Sequence, residues 1–163
     1  MASGILDRTY ISRPGVREAE AKLQDLNLSM LRMKLSDPVE GKGWSLEQLD
    51  LAEQEYRRFL VLNLLFPDES IVPSKMVDEV WHAHVLDTQA YASDTVRIFG
   101  SFFHHFPYFG MRGDADLIEF SAAARRTKEL YQQIFGNPPA GTWDSSANCE
   151  RKNCKPQRCK SAN

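Results

Sequence analysis

The 163-residue chain lacks several features that mark whole classes of protein. It has no apolar run near the roughly 18 residues that a membrane-spanning helix needs. Its first residues show neither the charged nor the apolar region of a signal peptide. Its 20 basic and 22 acidic residues nearly balance, so the strongly basic character of many nucleic-acid-binding proteins is absent overall. We therefore expect a cytoplasmic protein whose partners are neither membranes nor nucleic acids.

Cysteine is scarce, and histidine is confined to one segment. All three cysteines, Cys149, Cys154 and Cys159, lie in the last 15 residues, so the rest of the chain cannot form a disulfide between its own residues. All four histidines lie between His82 and His105. The last 15 residues carry a charge of +4, which leaves about -6 on the rest. The sequence thus predicts an acidic body that contains the histidines and a basic tail that contains the thiols.

The hydrophobic periodicity predicts an all-α fold, since no segment shows the strict alternation of a β-strand. Apolar residues from Ala19 to Met33 recur at spacings of four and three, which is typical of one face of an amphipathic helix. Ser45 followed by Gln48 predicts a capping box. The expected helices cover about residues 15–36, 46–66, 75–86, 88–99 and 115–135.

These elements predict a compact bundle of about five helices over residues 1–137 and a flexible tail over residues 138–163. An aromatic-rich loop at residues 101–113 precedes the last helix. The tail has Trp143 as its only large apolar residue, so it cannot bury enough surface to offset the entropy of ordering. We therefore expect the C-terminal tail to be disordered.

The third of these helices, over about residues 75–86, carries the residues best suited to chemistry. Asp78 and His82 are four residues apart, so their side chains share one face of a helix. His84 follows His82 by two residues, about 200° around the helix, so the two cannot bind one metal from a regular helix. We predict that His84 is a core histidine hydrogen-bonded to the backbone. Trp81 and Asp87 are expected in the core or around the site.

The aromatic loop adds His104 and His105, and folding of this loop over the helices brings one of them to Asp78 and His82. The sequence does not choose between the two, because adjacent loop residues can point in either direction. Two imidazoles and a carboxylate suit Zn, Fe, Ni or Cu(II) and leave coordination positions open. The same groups are also able to act as metal-free acid and base, or to form a buried polar network.

Two longer motifs contain these residues. The first is Pro73-Ser74-x-x-Val77-Asp78-x-Val80-Trp81-His82-x-His84-x-Leu86-Asp87-x-x-x-Tyr91, and the second is Phe99-Gly100-x-Phe102-x-His104-His105-x-Pro107. Together they resemble the glycine-rich domain-containing protein-like family, over about residues 45–110. The resemblance implies a helical domain, with Asp78, Trp81 and His82 as its firmest motif positions. It does not imply RNA binding, because the chain has no glycine-rich tract or RNA-binding module.

The tail cysteines form a Cys-x4-Cys-x4-Cys repeat. This is not a standard zinc spacing, and three thiols fall short of a closed four-ligand site. Neighbouring basic residues favour the thiolate form. The repeat could bind a soft metal such as Cu(I) or Zn, be post-translationally modified, act as a redox-sensitive tether, or belong to a tail that only aids solubility.

Three functional hypotheses follow. The leading one is a metal-binding helical domain with Asp78, His82 and His104 or His105 as ligands of Zn, Fe or Cu, and with Trp81 and the loop aromatics as a dry surround. Open coordination positions would make it a small metal-dependent enzyme acting on a small molecule or peptide. The second is a non-catalytic protein-interaction module in which the histidines are structural. The third is a carrier or precursor whose body recruits a partner protein to the cysteine repeat.

Overall fold

The computed structural model describes residues 14–144. Those residues form six α-helices and no β-strand. The helices are α1 (Pro14–Lys22), α2 (Ser29–Ser36), α3 (Leu46–Leu65), α4 (Lys75–Leu86), α5 (Thr88–Phe99) and α6 (Asp114–Phe135). The all-α prediction is confirmed for this part of the chain, with one helix more than expected. Across the same residues, no helix combines the length and the apolar character that crossing a membrane requires.

The additional helix arises because the segment predicted as the first helix divides into α1 and α2. The side chain of Asn27 accepts a hydrogen bond from the backbone N–H of Ser29 (3.0 Å), which competes with continuation of the helix. Arg57 of α3 donates to the carbonyl oxygens of Leu23 (2.9 Å) and Leu26 (2.6 Å). Both carbonyls lie in the segment between the two helices, where the regular helical hydrogen bonding is interrupted. A side chain from another element therefore stabilises the break.

The division also changes which side of α2 faces the core. Met30 and Met33, which the periodicity placed on the apolar face, are 61% and 60% exposed. Leu31 and Leu35 are buried in their place. The apolar periodicity of α1 therefore does not continue unchanged through the turn into α2.

The starts of α3 and α4 agree with their sequence signals. The backbone N–H of Gln48 donates to the Ser45 hydroxyl (3.3 Å), and the Gln48 side chain accepts from the Ser45 backbone N–H (3.0 Å). The Ser74 hydroxyl accepts from the backbone N–H of Val77 (3.3 Å) at the start of α4. Each contact satisfies a backbone donor that the first turn of a helix leaves unpaired.

The centre of the fold is the pair α3 and α4. Helix α3 packs against α1, α2 and α4, and α4 packs against α2, α3 and α5. The largest side chains that α3 contributes to the core are Tyr56, Phe59, Leu60 and Leu62. Neighbours on several sides therefore fix the position of α4, which carries the candidate site.

A buried carboxylate joins α3, α6 and the segment after α6. The Glu55 side chain is fully buried and accepts hydrogen bonds from Arg58 (2.9 Å), the Tyr131 hydroxyl (2.7 Å) and Trp143 Nε1 (2.8 Å). Burial and the adjacent Glu55 carboxylate raise the pKa of Tyr131, so its hydroxyl remains protonated as a donor. A buried charge is tolerated when it is paired and hydrogen-bonded in this way.

The body of the protein continues through Trp143, past the boundary predicted at residue 137. Trp143 is buried, and its ring centre lies 5.1 Å from that of Tyr131. The polar residues around Trp143 predict a tail, but its pairing with Glu55 joins residues that are 88 positions apart in the chain. Residues 145–163 lie outside the described residues, and with them the repeat of Cys149, Cys154 and Cys159.

We predict that Trp143 contributes substantially to stability. Trp143→Ala should lower the free energy of unfolding by about 3–5 kcal/mol, since it removes a buried aromatic side chain. Trp143→Phe should lower it by about 1–3 kcal/mol, because the ring remains but Glu55 loses a donor. Denaturant unfolding measures both. Asp144→Ala is the control, since residue 144 is exposed. Equal stability of Trp143→Ala and the parent would show that the packed body ends earlier.

Candidate metal centre

Helix α4 places two potential ligands one turn apart on the same face. The Nδ1 atom of His82 lies 3.3 Å from Oδ2 of Asp78. Asp78 stands in the first turn of the helix, where a negative charge interacts favourably with the helix dipole. The sequence predicted this pair from its spacing, and the regular helix accounts for the agreement.

The aromatic loop brings His105 to the same carboxylate. The Nε2 atom of His105 lies 3.2 Å from Oδ1 of Asp78, and its ring centre lies 4.6 Å from that of His82. One ligand atom from each of the three residues lies within 4.8 Å of the others. We call Asp78, His82 and His105 the trio.

His104 lies outside the trio. Its side chain is exposed and its ring packs against Phe102, with ring centres 4.9 Å apart. The neighbouring His105 is 11% exposed and turns inward against Trp81, with ring centres 4.2 Å apart. The structure thus separates the two histidines that the sequence left equivalent.

A chain of two hydrogen bonds positions the loop on the helices. Trp81 Nε1 donates to the Tyr91 hydroxyl (2.8 Å), and that hydroxyl donates to the backbone carbonyl of Phe103. Burial raises the pKa of Tyr91 to about 12, so the hydroxyl keeps its proton. The Phe103 ring stacks on Trp81 and on Phe99, at 5.2 Å and 4.5 Å between ring centres. These contacts fix the position of Phe103, which precedes His105 by two residues in the sequence.

The positioning role of Tyr91 is not evident from the sequence. Tyr91 and Phe103 are 12 residues apart, so no helical spacing relates them. The available signals were that Tyr91 belonged to the first motif and that Trp81 carries a donor which needs a partner when buried. Neither signal identifies the Phe103 carbonyl as the acceptor of a hydrogen bond from the Tyr91 hydroxyl.

His84 occupies the core, on the other side of α4 from His82. Its Nδ1 atom lies 2.9 Å from the Tyr56 hydroxyl and its Nε2 atom lies 3.2 Å from Asp94 Oδ2. These partners are side chains rather than the backbone groups that the sequence suggested, because helical backbone groups are already paired with one another. Burial lowers the pKa of His84, although the hydrogen bond with Asp94 opposes this shift.

Asp87 and Trp81 have different roles. Asp87 is exposed and caps α5, where its carboxylate accepts from the backbone N–H of Ala90 (3.4 Å). Trp81 is 7% exposed and forms a wall beside the trio. Of the residues expected around the site, Trp81 therefore contacts it directly and Asp87 stabilises the following helix.

The trio opens onto a cleft of about 450 Å³. The exposed fractions of the side chains are 46% for His82, 20% for Asp78 and 11% for His105, so His82 lies nearest the solvent. Five aromatic residues line the cleft: Trp81, Phe103, Phe106, Phe109 and Phe120. Its volume falls within the range of about 300–1,000 Å³ that is usual for small-molecule sites.

The arrangement of the trio is compatible with two chemical states. Ligands bound at about 2.1 Å to a tetrahedral ion are separated by roughly 3.4 Å. The two histidines approach different oxygens of Asp78, and one ligand atom from each residue lies within 4.8 Å of the others, so an ion would draw the three side chains closer together. Without an ion, the distance from His105 is that of a long hydrogen bond to the carboxylate, and His82 Nδ1 lies 3.3 Å from the other oxygen. The geometry supports a metal site and also supports a polar network.

Comparisons with known proteins correct the resemblance drawn from the motifs. The family model that matches is the UCP032817-like family, over residues 24–126, and not a glycine-rich domain-containing family. Motifs of aromatic and histidine residues around a helix and a loop were too short to distinguish the two. Neither the curated proteins nor the solved structures contain a match. Since the matched segment covers more than half of the chain and contains all four histidines, the chain belongs to the UCP032817-like family.

Proposed function

We propose that the trio binds one divalent transition-metal ion, and that the ion acts on a small molecule in the cleft. The observation that carries the proposal is the convergence of Asp78 and His82 with His105, a residue from a loop 27 positions away, at the edge of an aromatic cleft. Membership of the family assigns no chemistry to these residues, so the proposal depends on their geometry.

The donor set favours Zn²⁺ or Fe²⁺. Two imidazoles and one carboxylate form a ligand set that occurs in catalytic zinc sites and in non-haem iron sites. Three protein ligands leave at least one coordination position open in either geometry. An ion held this way polarises a bound oxygen atom or lowers the pKa of a bound water. The nearby aromatic side chains reduce contact with bulk water, which strengthens such electrostatic effects.

A second candidate is a non-catalytic module in which the trio is structural. It is favoured by the observation that each oxygen of Asp78 already has a histidine nitrogen within 3.3 Å. In that case the carboxylate ties the loop to α4 and the exposed loop aromatics contact a partner protein. The two candidates differ in whether an ion is taken up.

We expect the metal content of the protein to depend on His105 and not on His104. The parent chain should carry Cys149→Ser, Cys154→Ser and Cys159→Ser, so that thiols do not contribute. After reconstitution with Zn²⁺ or, anaerobically, Fe²⁺, mass spectrometry should find about one ion per chain in this parent and in His104→Ala. His105→Ala and His82→Ala should retain almost none.

The matched pair of adjacent histidines makes this test specific. Circular dichroism should confirm that all variants are folded. If the folded parent takes up no ion of either kind, the structural candidate replaces the metal proposal. Equal metal content in His105→Ala and His104→Ala would show that the ion is bound elsewhere.

We expect Tyr91→Phe to weaken metal binding without removing a ligand. The change takes away the donor to the Phe103 carbonyl and the acceptor for Trp81, so His105 is held less firmly. Loss of a partner that orients a ligand typically lowers metal affinity by about 10–100-fold. Competition with a chromophoric chelator measures the affinity. Tyr108→Phe is the control because Tyr108 is an exposed tyrosine of the same loop. Unchanged affinity in Tyr91→Phe would show that the loop positions His105 by other contacts.

A further inference from the structure

The last turn of the aromatic loop, just before α6, presents an arginine to the cleft. Arg112 lines the cleft with the trio and lies between two glycines with positive φ, Gly110 (83°) and Gly113 (117°). A Cβ atom at Gly110 would lie 2.9 Å from the Phe120 ring. Glycine at this position therefore allows the turn to approach the aromatic wall closely.

The position of the Arg112 side chain is fixed, but much of its hydrogen-bonding capacity remains. Nη2 of Arg112 donates to Oδ1 of Asp116 (2.7 Å), and its backbone N–H donates to Oδ2 (3.0 Å). The guanidinium carbon lies 5.0 Å from the centre of the Phe106 ring. Within the residues that the structure describes, Nη2 makes the side-chain bond, which leaves the N–H groups of Nε and Nη1 for a ligand. The side chain is 58% exposed.

The charges around the cleft favour one negative charge on the ligand. Arg112 and Asp116 neutralise each other, and Glu69 at the rim is paired with Arg126 (3.0 Å). A divalent ion bound to Asp78 and two neutral histidines adds a net charge of about +1. A monoanion therefore neutralises the loaded cleft, and a guanidinium with free N–H groups is suited to a carboxylate.

We propose that the cleft binds a small carboxylic acid whose carboxylate pairs with Arg112 and whose apolar body lies along the aromatic wall toward the trio. The wall consists of Trp81, Phe103, Phe106, Phe109 and Phe120. This ligand class deepens the proposed function of the same cleft, and it rests on that function for the end of the ligand that faces the ion and for the positive charge of the loaded cleft.

The test compares an acid with its neutral analogue in metal-free and Zn²⁺-loaded protein. The probes are 3-phenylpropanoate and 3-phenylpropanamide, which share the aromatic body and differ in charge. Isothermal titration calorimetry should show that the parent binds the acid at least about 10-fold more tightly than the amide, since a charge-assisted bond is lost in the amide. A smaller preference should persist in the metal-free protein, because the N–H groups of Nε and Nη1 of Arg112 remain while the charge of the ion is absent.

Substitutions test whether Arg112 is responsible for the preference for the acid over the amide. Arg112→Gln should bind the acid and the amide equally. Arg125→Gln removes the same charge from an exposed position of α6 outside the cleft and should behave as the parent does. Arg112→Gln leaves the Asp116 carboxylate with a backbone N–H donor but without its charged partner. The double variant Arg112→Gln with Asp116→Asn therefore provides the same test in a protein without this unpaired charge.

The outcomes separate this inference from the proposed function. An acid preference that is abolished in both Arg112 variants supports the inference, even when no Zn²⁺ is taken up. A preference that appears only in Zn²⁺-loaded protein and survives Arg112→Gln places the carboxylate on the ion and overturns the inference, while the metal proposal stands. Equal affinities of the parent for acid and amide overturn it as well.

Discussion

The candidate site depends on one short chain of hydrogen bonds, from Trp81 through the Tyr91 hydroxyl to the Phe103 carbonyl. A loop of more than ten residues has a large conformational entropy, and regular secondary structure does not restrain it here. The bond to Phe103 and the stacking of its ring on Trp81 fix one point of the loop against α4 and α5. His105, the wall residues Phe106 and Phe109, and Arg112 all follow that point in sequence.

One motif on helix α4 places a histidine in each of two polar environments. His82 faces the cleft and is 46% exposed, whereas His84 is buried between Tyr56 and Asp94. A separation of two residues is what places two side chains on opposite sides of a helix. His84 links α3, α4 and α5 through side-chain hydrogen bonds. This buried network stabilises the side of α4 that faces the core, and the opposite side remains accessible to a ligand.

The features that the sequence predicted are those set by residues close together along the chain. The capping box of Ser45 and Gln48 and the pairing of Asp78 with His82 both depend on neighbours within four residues. The missed features depend on distant partners. Arg57 stabilises the break between α1 and α2, and Glu55 draws Trp143 into the core. The choice of His105 over His104 likewise follows from packing against Trp81, which no local pattern encodes.

The trio is divided between a rigid helix and a docked loop, and this division links ligand binding to loop dynamics. Asp78 and His82 form a half-site wherever α4 is intact, while His105 completes it only when the loop is closed. Any ligand that needs all three residues therefore adds its binding free energy to the closed state of the loop. Reciprocally, contacts that hold the loop against α4, such as the hydrogen bond from Tyr91 to the Phe103 carbonyl, raise the affinity for such a ligand.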